Sequence, residues 1–264
     1  MAQLVKIQDY VSRYEKNLYH YQSLFMRLKE NRWNDFLHKN DRNVNYANKK
    51  ETVKQFRENL FEHQIKWATT TVKEISKVEH KYLKDSRLQF LTQEIPDNYF
   101  LLYEPVLQIK NAPIELDIIL AGPANIWLIV WMSGEGIWQE TDNKRFWKNA
   151  DPENGETRLN PFIRLERMNT IIGEWAKPYQ QQLSVKQRII APDAYIDISN
   201  DWRKACFIDK RNFKEWHLQI TAEPAPVKNQ QLKFISDILK HGVTNSLYRI
   251  DPLSNESEFS FEGN

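Results

Sequence analysis

The stretch from Ile114 to Ser133 reads IELDIILAGPANIWLIVWMS, and the rest of the chain is organised around it. Two runs rich in β-branched and aromatic residues flank a turn containing Gly122 and Pro123, a pattern that predicts a β-hairpin. The second run, Ile126 to Met132, is apolar without alternation, as expected for a strand buried on both faces. We therefore expect a central hairpin in the core of the fold.

Two acidic residues mark the first run of this hairpin. Glu115 and Asp117 lie two positions apart, so on a single strand their side chains would share one face. A carboxylate pair beside a core strand indicates either a metal or catalytic site or a solvated edge of the sheet. The spacing by itself leaves both interpretations open.

The composition limits the classes of function. The 264 residues carry 37 basic and 35 acidic side chains, a net charge of +2, so the overall charge lacks the strong cationic excess of a dedicated nucleic-acid binder, although a local basic face is possible. The single cysteine, Cys206, excludes an intramolecular disulfide and a multi-cysteine metal site, which fits a reducing compartment. No secretory signal and no apolar run near the roughly 20 residues of a membrane span are visible. We expect a soluble cytoplasmic protein with no membrane partner.

The N-terminal residues show a heptad-like pattern. Between Leu4 and Leu28 apolar side chains recur in steps of three and four, which predicts an amphipathic helix with a narrow seam. This Leu4 to Leu28 seam could pack against another helix of the same chain, or it could form a coiled coil with a second copy or another protein. The polar segment from Asn31 to Lys50 then reads as a linker.

The segment from Glu51 to Gln93 lacks glycine and proline and has helical apolar spacing, so we expect one long helix or two nearly continuous ones. Glu79 occupies the seam position that follows Ile75. A slight rotation of the helix would expose this carboxylate; alternatively, Glu79 forms part of a polar site shared with Asp117.

After the central hairpin, Glu135 lies between two glycines in a predicted turn. The residues from Ile137 to Trp147 then predict two short strands joined by a polar tip. Aromatic and basic side chains interleave here: Trp138, Lys144, Arg145, Phe146, Trp147 and Lys148. The aromatic rings could stack on nucleic-acid bases while the cations contact phosphates; alternatively, the rings pack the sheet against the following helix and the cations are solvated.

The remaining elements follow from local signals. A loop is expected from Ala150 to Leu159, and the pair Asn160-Pro161 predicts the start of a helix that ends before Pro178. Strands are expected at Val185 to Ala191 and at Cys206 to Ile208, and Phe213 to Ile220 could be a strand or a short helix. A final amphipathic helix is predicted from Gln230 to His241 with Gly242 as its C-terminal cap, followed by a frayed tail from Asp251 to Asn264.

The segment from Glu79 to Asp209, about half the chain, resembles the NERD (nuclease-related domain) family, a branch of the PD-(D/E)xK nuclease superfamily. The similarity rests on Asp117 in the first central strand, the turn Gly122-Pro123 and the helix start Asn160-Pro161. In that family the aspartate is followed by a Glu-x-Lys on the second strand, and these groups hold Mg²⁺ or Mn²⁺ and position the attacking water. The resemblance further implies that Glu79 corresponds to a helix glutamate of the family.

The chain departs from this family at the Glu-x-Lys. By position on the second strand the glutamate falls at Val130 and the lysine at Met132, both apolar. The glutamine that often follows Asn-Pro in the family is either replaced by Arg164 or absent. Valine and methionine cannot hold a hard cation that binds oxygen. The resemblance therefore implies the fold more strongly than the activity.

We accordingly expect an α/β (α+β) fold with a restriction-endonuclease-like central mixed sheet, flanked by helices and preceded by a long-helix extension. The predicted division is an N-terminal helix and linker over 1–50, a nuclease-like domain over 51–222, and a C-terminal helix and tail over 223–264.

Three functions remain open. The first is a catalytically inactive module that binds nucleic acid, through Lys144, Arg145, Trp147, Lys148 and Arg164, or a protein partner. The second is a nuclease with a rearranged metal site at Asp117, in which Glu79 and Glu135 supply the other carboxylates. The third is a scaffold that self-associates through the Leu4 to Leu28 seam.

Overall fold

A computed structural model describes residues 1–39, 49–150, 155–198, 206–222 and 225–249. The elements within these ranges are β1 (Gln3–Ile7), α1 (Arg13–Lys16), α2 (Leu18–Lys39), α3 (Lys49–Trp67), β2 (Glu74–Ile75), α4 (Lys81–Lys84), α5 (Ser86–Gln93), β3 (Phe100–Tyr103), β4 (Val106–Ile109), β5 (Ala112–Glu115), β6 (Ile118–Ala121), β7 (Asn125–Trp131), β8 (Gly136–Glu140), β9 (Phe146–Asn149), β10 (Thr157–Leu159), α6 (Pro161–Ala176), a 3-10 turn (Lys177–Tyr179), β11 (Ser184–Ala191), β12 (Ala194–Asp197), β13 (Phe207–Asp209), α7 (Phe213–Thr221), α8 (Asn229–Lys240) and β14 (Leu247–Tyr248).

The centre of the fold is a six-stranded mixed sheet in the order β1-β3-β6-β7-β11-β13. Strand β6 is antiparallel to both of its neighbours, whereas β1 and β3, β7 and β11, and β11 and β13 pair in parallel. Helices α6 and α8 contribute to the core on one face, and α3, α5 and α7 contribute to the core on the other. The predicted mixed α+β architecture, a central mixed sheet flanked by helices, is confirmed.

The predicted central hairpin is formed by β6 and β7, with Ile118 opposite Ile129. At the turn, the Gly122 N–H donates to the Asn125 carbonyl at 2.8 Å. As expected, β7 is buried on both faces: Leu128 belongs to the core beneath α6 and Ile129 to the opposite core. The strand therefore supplies apolar side chains to two cores at once.

The predicted acidic pair does not lie on one strand. Strand β5 ends at Glu115 and pairs with β4 in a separate two-stranded sheet, whereas β6 begins at Ile118. Glu115 is exposed and Asp117 is buried. The chain leaves the hairpin of β4 and β5 before it joins the central sheet, so the two carboxylates lie in different environments.

The prediction of one helix from Leu4 to Leu28 is wrong at its start. Residues Gln3–Ile7 form β1, which is entirely buried and pairs in parallel with β3. The seam residues of α2 pack within the chain, since Phe25 forms a cluster with Phe56 and Leu60 of α3. The regular apolar spacing between Leu4 and Leu28 therefore arises from two different elements, a strand buried on both faces and a helix packed on one side. The N-terminal segment contributes a strand of the central sheet as well as a helix.

Other boundaries also differ from the sequence expectation. Helix α2 continues to Lys39, into the predicted linker, and residues 40–48 lie outside the described residues. Helix α3 ends at Trp67 because Thr69 and Thr70 follow, whose hydroxyls donate to the carbonyls of Ile65 (2.8 Å) and Lys66 (2.6 Å) and so compete with the helix. A short strand, β2, and the helices α4 and α5 replace the rest of the predicted long helix.

A second sheet in the order β10-β9-β8-β12 packs beside the central one. Strands β8 and β9 form the predicted pair after the Gly134-Glu135-Gly136 turn. Strand β10 falls within the predicted loop, where its pairing with β9 overrides the turn-rich composition. Residues 151–154 of that loop lie outside the described residues.

Helix α6 begins as predicted, with Pro161 in its first turn and the Asn160 side chain accepting the Phe162 N–H at 3.0 Å. Strands β11 and β13 and helix α8 are also found where expected, and Phe213–Thr221 is a helix. The tail from Asp251 to Asn264 lies outside the described residues. None of the described helices is long and apolar enough to span a membrane.

Candidate functional site

Asp117 lies just before β6 and is held by helix α6. The Arg164 Nε donates to the Asp117 Oδ2 at 3.1 Å, and the Arg164 Nη2 donates to the Oδ1, so the contact is bidentate. The side chain of Asp117 is 7% exposed, whereas that of Arg164 is 44% exposed. Arg164 is placed one turn into α6, where the Asn160 cap determines the start of the helix. The guanidinium therefore covers the carboxylate from the solvent side.

The electrostatics of this pair are dominated by burial. Burial raises the pKa of the Asp117 carboxyl above its ordinary value, while Arg164 and, at longer range, Arg167 oppose the rise by favouring the charged form. Arg167 also donates to the Glu115 carbonyl at 3.2 Å. The Asp117 carboxylate is thus occupied by a cation that belongs to the chain itself.

Val130 and Met132 form the apolar wall beside Asp117. In the register of β6 with β7, Ile118 lies opposite Ile129, so one step further Asp117 lies opposite Val130. Val130 is fully buried and Met132 is 6% exposed, and both belong to the core that α6 covers. The side chains of Val130 and Met132 offer no oxygen to a metal ion.

Glu79 lies away from Asp117. It is exposed, on the loop between β2 and α4, and its carboxylate pairs with Lys81 at 3.1 Å. Its backbone N–H donates to the Tyr10 hydroxyl at 3.2 Å, and Tyr10 belongs to the core on the face of the sheet opposite α6. The predicted polar site shared by Glu79 and Asp117 is therefore not formed, because the helix expected to carry Glu79 ends at Trp67.

Glu135 is exposed in the turn between β7 and β8. The flanking residues Gly134 and Gly136 both have φ of 101°, and the Asn149 Nδ2 donates to the Glu135 carbonyl at 2.9 Å. This anchor holds the backbone of the turn while the carboxylate is solvated. Within the described ranges, no group of three or more His, Cys, Asp or Glu side chains is close enough to hold a metal ion.

The basic side chains of the β8–β9 hairpin lie on the surface. Lys144, Arg145 and Lys148 are exposed, and the described part of the chain gives them no ion pair. Trp147, in contrast, is fully buried, with its ring centroid 6.2 Å from Phe162 and 5.9 Å from Phe207. The expectation that Trp147 stacks on bases is therefore wrong, because strand alternation turns it inward.

The exposed aromatic ring of this hairpin is Phe146, at 37% exposure. Asn160 anchors the hairpin tip to the start of α6, since its backbone N–H donates to the Arg145 carbonyl (2.9 Å) and its Nδ2 to the Lys144 carbonyl (2.8 Å). The backbone that carries the tip cations is thereby held at a defined position relative to α6. Side chains alternate between the two faces of β9, so an inward Trp147 implies that its neighbour Phe146 faces outward; this alternation is the sequence signal that would have identified Phe146 as the exposed ring.

A polar cluster at the end of β3 was missed by sequence reasoning. Asp85 caps α5 and binds Arg87 at 2.8 Å, and Arg87 also contacts Glu104 at 3.4 Å. Burial raises the pKa of Glu104, whereas hydrogen bonds from Arg87 and Tyr103 outweigh burial and hold the pKa of Asp85 below its ordinary value. Arg87 thus bridges the two carboxylates, and the signal in the sequence was the Asp-x-Arg at a helix start.

Comparisons with known proteins give little overlap. No protein-family model matches the chain, and no solved structure matches it. A segment of 33 residues is 54% identical to a protein of Geobacillus stearothermophilus described as an RNA 2',3'-cyclic phosphodiesterase. The match covers 12% of this chain and 10% of that protein, so the chain spans about a tenth of the length of this curated relative.

Proposed function

We propose that this protein is a catalytically inactive nuclease-like domain, related to the NERD family, that binds nucleic acid through the β8–β9 hairpin. The observation that carries the proposal is the bidentate contact of Arg164 with Asp117. In an active site of that family the carboxylate would hold a divalent cation, and here a guanidinium occupies the same oxygens while Val130 and Met132 supply apolar side chains. Metal-assisted attack of water on a phosphate has no support from these residues.

The binding part of the proposal is supported by hairpin cations that have no ion pair within the described residues. Lys144, Arg145 and Lys148 are exposed, and the Asn160 anchor holds two of them beside the start of α6. Cations fixed on a rigid element neutralise phosphates and release counterions, which supplies most of the affinity of sequence-independent binding. A cytoplasmic location is part of the same proposal and is supported by the lone Cys206.

RNA is included as a ligand because the matched bacterial protein is described as acting on RNA, although the matched segment is short. Arg164 is not expected to contact nucleic acid, since its guanidinium is paired with Asp117. The proposal does not use the Leu4 to Leu28 seam, because α2 packs on α3.

The loss of activity is tested by cleavage assays. Single-stranded and duplex DNA and RNA are incubated with the full chain and Mg²⁺ or Mn²⁺, with Asp117→Ala as the matched variant. We expect no cleavage above background for either protein. Cleavage by the wild type that Asp117→Ala abolishes would contradict the proposal and would favour the rearranged metal site.

Binding is tested by electrophoretic mobility shift at low salt. We expect the combined variant Lys144→Glu, Arg145→Glu and Lys148→Glu to lose most of the affinity, with a weaker dependence of binding on salt concentration. The control reverses three exposed lysines elsewhere, Lys54, Lys77 and Lys233, so the change in net charge is identical. Equal losses in both variants, or no binding by the wild type, would refute the hairpin as the binding element.

A further inference from the structure

The outer face of the four-stranded sheet carries apolar side chains that remain exposed in the described part of the chain. Alternation along the strands turns Trp138 and Trp147 inward and leaves four large apolar side chains on the opposite face: Ile137 (42% exposed), Phe146 (37%), Leu159 (41%) and Tyr195 (40%). We call these four residues, together with Lys148 and Gln139, the outer face.

The outer face is ordered in rows. Leu159 lies directly across from Phe146 at one end, and Ile137 lies directly across from Tyr195 at the other. A polar row separates the two apolar pairs, in which Lys148 lies opposite both Thr157 and Gln139. Gln139 in turn lies opposite Asp197 and donates to its carboxylate at 3.0 Å, so that acid at the edge strand has a partner.

The two aromatic rings of the outer face lie diagonally apart, Phe146 on β9 and Tyr195 on the edge strand β12. Phe146 and Tyr195 are separated by two strand spacings and four residues along the strands, which corresponds to roughly 16 Å. Lys148 lies between them. One nucleic-acid strand of several nucleotides is long enough to contact both rings, given that single-strand sites on comparable sheets cover about 4–16 nucleotides.

Cations accompany both rings. Phe146 directly follows Lys144 and Arg145 at the hairpin tip, and Lys148 shares its face of β9. At the other end, the Lys210 ammonium lies 5.9 Å from the centroid of the Tyr195 ring. The Arg211 guanidinium lies 5.8 Å from the same centroid but is paired with Asp209. Each of the two exposed aromatic rings therefore lies near positive charge.

We infer that the outer face binds single-stranded nucleic acid, with bases stacked on Phe146 and Tyr195. The phosphates would contact four exposed cations: Lys144, Arg145, Lys148 and Lys210. The inference rests on the proposed function and specifies the form of its ligand. Charge complementarity selects this occupant: unpaired bases offer aromatic faces, and their phosphates match the cations. A duplex hides its bases in the stack, so the exposed rings would gain nothing from it.

The test is fluorescence anisotropy with labelled oligouridylate and oligothymidylate of about 12 nucleotides, and with a duplex of the same length. We expect the wild type to prefer the single strands. Phe146→Ala and Tyr195→Ala are each expected to weaken single-strand binding by about 5- to 100-fold, with little effect on duplex binding. Phe146→Trp is expected to retain binding, and its new exposed indole should be quenched by the bound bases.

The matched control is Tyr248→Ala, which removes an aromatic ring that is 80% exposed outside the outer face and should leave binding unchanged. Thermal melting verifies that each variant is folded. If the combined charge reversal of Lys144, Arg145 and Lys148 abolishes binding but Phe146→Ala and Tyr195→Ala do not weaken it, the inference is overturned while the proposed function stands. If the wild type binds no oligonucleotide, both are overturned.

Discussion

Arg164 on helix α6 contacts both carboxylate oxygens of Asp117, which is the buried acid at the start of the central hairpin. The pair is asymmetric, since the carboxylate is enclosed and the guanidinium is nearly half exposed. Removing only the arginine would leave a buried charge unpaired, which destabilises the fold more than replacing both partners by apolar residues would. This contact therefore links the neutralisation of a buried carboxylate to the stability of the fold.

Substitution of Arg164 by Gln should lower the free energy of unfolding by about 2 kcal/mol at pH 7, because Asp117 loses its counter-charge. The pKa of Asp117 is already raised by burial, and without Arg164 it rises further. The loss of unfolding free energy relative to the wild type should therefore be largest above the pKa that Asp117 has in the folded variant, where the unpaired carboxylate is charged. The loss should shrink as the pH falls toward about 3.9, the pKa of an aspartate in the unfolded chain, because Asp117 of the folded variant is then protonated. Urea denaturation across this pH range measures the effect.

Two variants control this prediction. Arg27→Gln removes an exposed arginine elsewhere and should change the stability little. In the Arg164→Gln background, Asp117→Asn removes the buried charge, so the excess loss of stability at neutral pH should disappear. A deficit that persists at all pH values would show that Arg164 acts through packing instead.

Deletion of residues 1–30 should prevent folding. The deleted segment contains β1, whose five residues are all buried and pair with β3. As a milder test, Ile7→Ala is expected to cost about 2–5 kcal/mol, because Ile7 is fully buried, whereas Val72→Ala, at 79% exposure, should be nearly neutral. A truncated chain that stays folded and merely changes from an oligomer to a monomer would instead support a scaffold role for the N-terminal seam.

Trp147 and Phe146 are neighbours whose substitution by alanine should destabilise the protein to very different extents. Trp147→Ala should cost about 3–5 kcal/mol of stability, since the indole packs against Phe162 and Phe207. Phe146→Ala should cost less than about 1 kcal/mol, because its ring is 37% exposed and lies outside the core cluster that contains Trp147. Thermal and urea unfolding compare the two; similar costs for both would contradict the inward and outward assignment along β9.

Gly136 is required at the start of β8. Its φ of 101° is a backbone conformation that L side chains rarely adopt, and an added Cβ would lie 2.4 Å from the Asn149 Oδ1. Gly136→Ala should therefore destabilise the protein by about 1–3 kcal/mol. Gly173→Ala is the matched control: this helical glycine has room for a Cβ, with Asn169 at 3.9 Å, and should stabilise by about 0.5–1 kcal/mol. Differential scanning calorimetry of both variants measures the contrast.

Local signals in the sequence were sufficient for the central part of the fold. The continuous apolar run of β7, the turn at Gly122-Pro123 and the Asn160-Pro161 helix start act over a few residues, so they predicted the β6–β7 hairpin and α6. These inferences need only the chemistry of each residue and its spacing from near neighbours.

Contacts between distant segments could be decided only by the tertiary structure. Gln3–Ile7 is a strand because β3, nearly a hundred residues later, provides its hydrogen-bonding partner. Asp117 is neutralised by Arg164, 47 residues away, and Glu79 is separated from both because α3 ends early. The apolar and basic residues of the outer face likewise meet only when β10, β9, β8 and β12 assemble. The sequence by itself determined which side chains this protein possesses near its central hairpin, and the long-range packing decided which of them face each other, the core or solvent.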